Sequence, residues 1–488
     1  MLFIATPIQF TVYDVQTVAL NDLSLIELLY NASVKKYSCT MLFSKLQFKY
    51  CLLSCVILSA VTILLCEHFI FEIVLSSCSW PDSQNENALK FFVLADTHIL
   101  GDYKGHWFDK LRREWQMKKC FQTSVRFFNP DAVFVLGDLF DEGMWSDEKR
   151  FKKYTNEFYD IFFANSTPLY AVIGNHDVGF HDQLHPLRLI WFYDAFGMDI
   201  VELVVLKRYP FILVNSMAME NDECIFCSEA VRMIHSLNLT LQCAKDGRKG
   251  NCYSGNVTDY IKPIVMQHFP MFRESDALCD EVDEAPFDQK HRLMLEGKDC
   301  LSNKSTRFLL EILQPRAVFS GHTHHGCKTL HNDGEVPEWT VSSYSWRNKN
   351  NPAFLMPNCR TKNILVTVTD KDVLVNKCQL PRESTVIIFY LMLFTFIIIS
   401  LISSLTVNMH PFRRKIGTFN HSVNGRRISK EEIWLKLSNI RIESVADEVV
   451  WHRQAAIGYG PGGGVEATKC TEIGVGLKIG GLFKLAPT

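Results

Sequence analysis

The chain has 488 residues, enough for one large domain with appendages or for two or three small ones. Its 51 basic and 53 acidic residues leave a formal net charge of −2, which argues against a nucleic-acid binder working through bulk electrostatics. Two long uncharged runs point instead to a membrane protein.

In chain order, residues 1–40 come first, and Met41 then opens MLFSKLQFKY, a short basic lead. Met41 reads as a natural start, with residues 1–40 as an upstream extension. Residues 50–66 (YCLLSCVILSAVTILLC) form a 17-residue run, just long enough to span a bilayer, and it can continue past Glu67 through Phe69, Ile70 and Phe71. It begins far from Met1 and lacks a small-x-small exit, unlike a cleaved leader. A second run of 26 residues, 384–409, has no polar face. Lys35, Lys36, Lys45 and Lys49 precede the first run, and Arg413, Arg414 and Lys415 follow the second. The positive-inside rule puts both ends in the cytosol and the middle in a lumenal or extracellular space. The expected division is a cytosolic segment 1–48, a membrane helix 49–71, a lumenal domain 78–383, a membrane helix 384–407 and a tail 408–488.

Between the two runs, apolar stretches that read as buried strands end repeatedly in polar residues. Phe91–Ala95 leads into Asp96-Thr97-His98. Ala132–Leu136 leads into Gly137-Asp138-Leu139-Phe140-Asp141. Pro168–Ile173 leads into Gly174-Asn175-His176-Asp177. Val265–Gln267 leads into His268, and Ala317–Ser320 into Gly321-His322-Thr323-His324. Segments 107–128 and 147–164 have helical period, giving β-α-β-α-β. Runs at 338–344, 363–369 and 372–377 read as an antiparallel set. Residues 219–262 and 271–304 are polar, cysteine-bearing and irregular, and read as loops near the site. The expected class is α/β, a layered β-sheet arrangement with flanking helices, bracketed by two transmembrane helices. The basic stretch and glycine-rich end after 410 carry no readable chemistry.

Eleven of the 16 cysteines lie between 78 and 383, as do sequons at Asn165, Asn238, Asn256 and Asn303. This usage fits a secretory compartment and a disulfide framework. The sequon support is weak, since Asn31 and Asn420 have sequons on the cytosolic side. Cys224-Ile-Phe-Cys227 lacks a second CxxC at zinc-finger spacing, so a disulfide is favoured over a zinc site. Eleven is odd, so at least one thiol is left over.

One Asp or His after a strand is ordinarily a turn residue. Five such exits with carboxylate, amide and imidazole donors point to a dinuclear metal site. The set needs no thiolate, which suits Mn²⁺, Fe²⁺ or Zn²⁺. A carboxylate can bridge two such ions, and a pair of ions can clamp the attacking and leaving oxygens of a phosphate ester.

DxH (Asp96, His98), GDxxD (Asp138, Asp141), GNHD (Asn175, His176, Asp177), a lone His268 and GHxH (His322, His324) together resemble the calcineurin-like metallophosphoesterases over about residues 90–330. The resemblance implies that Asp96, His98 and His324 hold one metal ion and Asn175, His268 and His322 a second, with Asp138 bridging. His176 is then not a ligand but the acid that protonates the leaving oxygen, and Asp141 and Asp177 are candidates to orient His176 or a ligand. Segments such as ADTHILG, GHWFDKLRREWQM, QHFP, FSGHTHHGC and SWRNKNNPAF, together with the two flanking runs, look like the membrane-tethered branch of the family that remodels glycosylphosphatidylinositol (GPI) anchors. That similarity implies Mn²⁺ as the metal and GPI-anchored proteins or GPI glycolipid as substrate. It also implies removal of an ethanolamine phosphate from the second mannose, no nucleic-acid partner, and residence at ER exit sites, the ER–Golgi intermediate compartment and the Golgi. The first 40 residues and the tail after about 407 have no counterpart in that branch. Rival readings are a lumenal phosphoesterase acting on a nucleotide, sphingomyelin or phosphoprotein, and a non-catalytic receptor for GPI-bearing cargo. His181, His185 and His325 lie outside the motif and read as surface or packing residues, while His106 can line the site or pack.

Overall fold

A computed structural model of the chain describes residues 44–81, 88–164, 166–180, 183–220, 224–246, 260–359 and 373–417. The elements below belong to a compact unit ending at Asn408, except for the last residues of the final helix, 409–417, which are the only described residues of the second unit, Met409–Thr488. In chain order the helices are α1 Ser44–Leu64, then a π-helical turn Leu65–Phe69, α2 Ile70–Leu75, α3 Trp107–Phe128, α4 Glu148–Ile161, α5 Asn175–Val178, α6 Pro186–Phe196, α7 Cys227–Lys245, α8 Phe287–Lys290, α9 Asn303–Leu313 and α10 Glu383–Gly417. The strands are β1 Leu89–Leu94, β2 Ala132–Leu136, β3 Leu169–Val172, β4 Val201–Leu206, β5 Tyr209–Val214, β6 Ile264–Gln267, β7 Ala317–Ser320, β8 Cys327–His331, β9 Val336–Thr340, β10 Ala353–Cys359 and β11 Val373–Gln379.

The strands form two sheets, ordered β11-β10-β1-β2-β3 and β4-β5-β6-β7-β9-β8. β1, β2 and β3 run parallel, as do β5, β6 and β7. The sheets pack through aromatic rings: Phe91 of β1 meets Phe211 of β5 edge-on at 5.2 Å, and Phe134 of β2 stacks on Phe211 at 4.8 Å. β1, β2 and β5 are buried almost throughout, because helices cover the outer faces as the opposite sheet covers the inner ones. On one side α3 packs on α4, with Phe121 against Phe162 at 5.2 Å. On the other α7 packs on α9.

Several sequence expectations need correction. Residues 227–245 of the supposed loop 219–262 form α7, whose face of Ala230, Ile234 and Leu241 is buried. The run 201–214, for which no element is expected from the sequence, is a hairpin, β4–β5, turning at Lys207 and Arg208, both with positive φ (45° and 84°). Sequence 338–344 is only partly strand: β9 runs antiparallel to β8 but parallel to β7. β11 does pair antiparallel, with β10, while the stretch 363–369 lies outside the described residues.

Lys49–Leu75 and Glu383–Ser404 are long and apolar enough to cross a membrane, with mean hydropathies of 2.1 and 2.7. The first helix runs beyond the expected end at residue 71, because Cys66, Ile70, Phe71 and Leu75 turn into the domain core. Glu67, inside this apolar helix, accepts a hydrogen bond from Tyr390 of α10 at 2.5 Å, the pairing that a carboxylate in such a segment requires.

Three disulfides are formed between described cysteines: Cys78–Cys378, Cys224–Cys227 and Cys279–Cys327. Cys120 and Cys300 are buried thiols. Cys78–Cys378 joins the exit of the first long helix to β11, just ahead of the second, and closes 300 residues of chain. Replacing both cysteines by serine is expected to cost about 2–4 kcal/mol, read as a lower apparent Tm of the detergent-solubilised chain; an unchanged Tm contradicts a stapling role.

Candidate metal centre

All the motif residues sit where parallel strands end. Asp96 and His98 follow β1, Asp138 and Asp141 follow β2, Asn175–Asp177 follow β3, His268 follows β6, and His322 and His324 follow β7. The carboxyl ends of the two sheets therefore open onto one crevice, the usual place for ligands in open α/β sheets. The turns that aim the side chains are strained. Asp96, His98, Asp138, His322 and His324 all have positive φ, between 44° and 74°. Non-glycine residues adopt that region rarely, and such clusters mark functional sites. The motif glycines allow close approach. A Cβ on Gly137, whose φ is 80°, would lie 2.6 Å from His268 Nδ1, and one on Gly174 would overlap the Asp138 backbone nitrogen.

The donors fall into two groups that share Asp138. On one side, His98 Nε2 lies 3.5 Å from Asp138 Oδ2, 3.9 Å from Asp96 Oδ1 and 3.1 Å from His324 Nε2, which is 3.6 Å from Asp96 Oδ1. On the other, His268 Nε2 lies 3.4 Å from Asp138 Oδ1, 3.1 Å from Asn175 Oδ1 and 3.2 Å from His322 Nδ1. One carboxylate oxygen thus faces each group.

The tautomers test whether cations fit. His268 Nδ1 donates to the Leu136 carbonyl at 2.7 Å, and His322 Nε2 donates to the Lys298 carbonyl at 2.8 Å. A carbonyl can only accept, so both outer nitrogens carry hydrogen. In the neutral rings the inner nitrogens then present two lone pairs to each other. That arrangement is repulsive unless a positive charge sits between them. In the metal-free protein a proton fills this role. Burial would lower the His268 pKa, but the Asp138 carboxylate overcomes it and raises the pKa to about 9. Burial, reinforced by the His268 charge, pushes His322 down to about 4. Burial alone would raise the Asp138 carboxyl, yet the surrounding imidazoles hold it well below the usual range and it stays ionised. Two divalent ions fit the same donor set, with Asp96, His98, His324 and Asp138 able to hold one, and Asp138, Asn175, His268 and His322 the other.

His176 lies at the rim, its side chain 34% exposed, so a substrate can reach it. Its backbone N–H donates to Asp138 Oδ1 at 2.8 Å. Its Nδ1 donates to the Asp141 carbonyl at 3.1 Å, leaving Nε2 as the chemically available nitrogen. The Asp141 carboxylate lies 3.3 Å from His98 Nδ1 and 3.8 Å from His176 Nδ1, and pairs with Arg347 Nη2 at 2.8 Å. Asp177 does not turn toward His176. Its carboxylate accepts from the Phe140 and Gly174 backbone N–H groups at 3.0 and 2.9 Å, and so fixes the turn that carries Asn175.

Sequence reasoning missed Arg347 and Asn348, the latter placing Nδ2 3.4 Å from His324 Nε2. The stretch SWRNKN contains both, but nothing in its local pattern ties it to a strand exit. Among the other histidines, His106 and His185 cap the N-termini of α3 and α6, and His325 receives a hydrogen bond from Lys349 at 2.6 Å. His181 lies outside the described residues.

Residues 89–326 match the calcineurin-like phosphoesterase family. Metallophosphoesterase 1 of Danio rerio is 38% identical over 364 residues, covering 73% of this chain and 92% of its own. Metallophosphoesterase 1 of Mus musculus is 41% identical over 339 residues, covering 67% and 83%. The metallophosphoesterase 1 homolog of Drosophila melanogaster is 39% identical over 345 residues, covering 70% and 90%. With two donor groups sharing the Asp138 carboxylate and these relatives spanning most of the chain, the protein belongs to the calcineurin-like metallophosphoesterases and is a phosphoesterase hydrolase.

Proposed function

We propose that the chain is a membrane-anchored, dinuclear-metal phosphodiesterase that removes the side-chain ethanolamine phosphate from the second mannose of GPI anchors and so aids transport of GPI-anchored proteins from the ER to the Golgi. The observation that carries the phosphodiesterase part is the placement of the two Asp138 oxygens, one toward each group of histidines. The GPI part is supported by the family segments in the sequence and by the long apolar helices on either side of the domain. A tethered enzyme meets a glycan lying just above the bilayer at high effective concentration. Disulfides support a lumenal domain, since they persist in oxidising compartments. Mn²⁺ suits the oxygen and imidazole donors.

Bound divalent ions would lower the pKa of water and neutralise charge on the phosphate. Asp96, His98 and His324 would hold one ion, Asn175, His268 and His322 the other, and Asp138 both. His98 is steadied for this by Asp141, and Asp141 by Arg347. The phosphorus–mannose oxygen bond breaks as water attacks phosphorus. His176, exposed at the rim with Nδ1 tied to a carbonyl, delivers a proton from Nε2 to the departing mannose oxygen. Products are the mannose hydroxyl and ethanolamine phosphate.

The direct test is incubation of the full chain with a defined GPI glycolipid and Mn²⁺, followed by product mass. Loss of one ethanolamine phosphate from the second mannose is expected; hydrolysis of a generic phosphodiester alone removes the GPI assignment. Asp138→Asn is expected to abolish turnover and to lower metal content at both positions, measured by elemental analysis; full metal loading contradicts bridging. His176→Gln is expected to keep its metal while kcat falls about 10²–10⁴-fold, and unchanged kcat rules out the acid role. Arg347→Ala, which frees Asp141, is expected to weaken metal affinity or activity about 10–100-fold; wild-type titration curves would show that the ion pair does not matter.

A further inference from the structure

A groove of about 750 Å³ lies where α3 of the domain meets the two long apolar helices. Its volume falls within the range of about 300–1,000 Å³ typical of small-molecule sites. We infer that this groove binds an acyl chain of a bilayer glycerophospholipid. The inference rests on the two helices spanning a bilayer and not on the catalytic reading.

The lining grades from polar to apolar. At one end are Glu67, which holds Tyr390, and Arg112, which pairs with Glu383 at 2.7 Å and lies 5.2 Å over the Trp346 ring. At the other end the walls are Leu393 and Ile397 of α10. From Tyr390 to Ile397 an α-helix rises about 10 Å, into the hydrocarbon if α10 spans. Trp115 and Trp346 stand at the polar end, where amphipathic rings favour the membrane interface. Along the adjoining turns of α3, Lys110 pairs with Glu157, Arg112 with Glu383, Arg113 with Asp109 and Lys118 with Asp160, while Lys119 lies over the Trp115 ring, so the polar end is close to neutral and suits a zwitterionic headgroup. An apolar hollow open to hydrocarbon neither hydrates favourably nor stays empty without forfeiting dispersion contacts. A lipid tail fills it, with its headgroup at the Arg112 end. Trp346 adjoins Arg347, which pairs with Asp141, so the groove wall and the metal centre share one loop.

The test uses the full chain in nanodiscs of phosphatidylcholine carrying a diazirine on one acyl chain, with adducts mapped by mass spectrometry after illumination. Adducts on residues 108–115 and 387–397 are expected in severalfold excess over 398–404. Leu393→Trp, which fills the groove, should remove that excess while metal-dependent hydrolysis of a soluble aryl phosphodiester persists. Should that variant misfold, phosphatidylcholine brominated on its acyl chains provides a readout on the native chain. It is expected to quench tryptophan fluorescence, and less so in Trp346→Phe. Even labelling along α10, or quenching that Trp346→Phe leaves unchanged, overturns the inference. So does groove labelling that emerges only after residues 1–43 are deleted, which would make the chain's own N-terminal segment the occupant.

Discussion

Asp138 is the constraint on which the site depends. It is an ionised carboxylate buried at the end of β2, and a buried charge is tolerated only when paired. Its two oxygens face two separate groups of imidazoles, so compensation must arrive from both sides. Within the second group, backbone carbonyls lock the tautomers of His268 and His322 so that their lone pairs converge. The arrangement therefore demands positive charge at the crevice, and the donor chemistry makes divalent ions a better occupant than a proton.

The rest of the fold holds that arrangement against its own strain. Five candidate ligands in left-handed backbone conformations cannot persist on free loops. Here each is anchored by a buried strand a few residues away, and the strands are clamped by aromatic contacts between the sheets. Gly137 and Gly174 let the turns approach closely enough for Asp138 to sit between β3 and His268. The Cys78–Cys378 bridge then ties the exit of the first long helix to the sheet edge that leads into the second. The crevice and the two long apolar helices are thereby parts of one packed unit.

Much of this was legible because strand exits are local. A short apolar run followed by Asp or His is visible without knowing what it pairs with, and five of them in one chain imply convergence. α3 was read with its observed bounds because its period is strong and Asn129, with φ of 41°, stops it cleanly. The misses have physical reasons. The β4–β5 turn uses Lys207 and Arg208 where Gly or Asn would normally signal positive φ. β10 contains Pro357, which argues against an interior strand, yet β10 lies between β11 and β1. α7 was masked by its cysteines and polar residues, although Ala230, Ile234 and Leu241 carry a buried face. Arg347 was invisible because its value lies in a contact with Asp141 that only the tertiary fold creates.

The central claim is that one carboxylate bridges two cations. Electron paramagnetic resonance of the Mn²⁺-loaded full chain, with metal content determined on the same sample, tests it most directly. The account predicts two Mn²⁺ per chain and an exchange-coupled spectrum, as expected for ions about 3.5–4 Å apart. One Mn²⁺ per chain with the six-line spectrum of an isolated ion would contradict it.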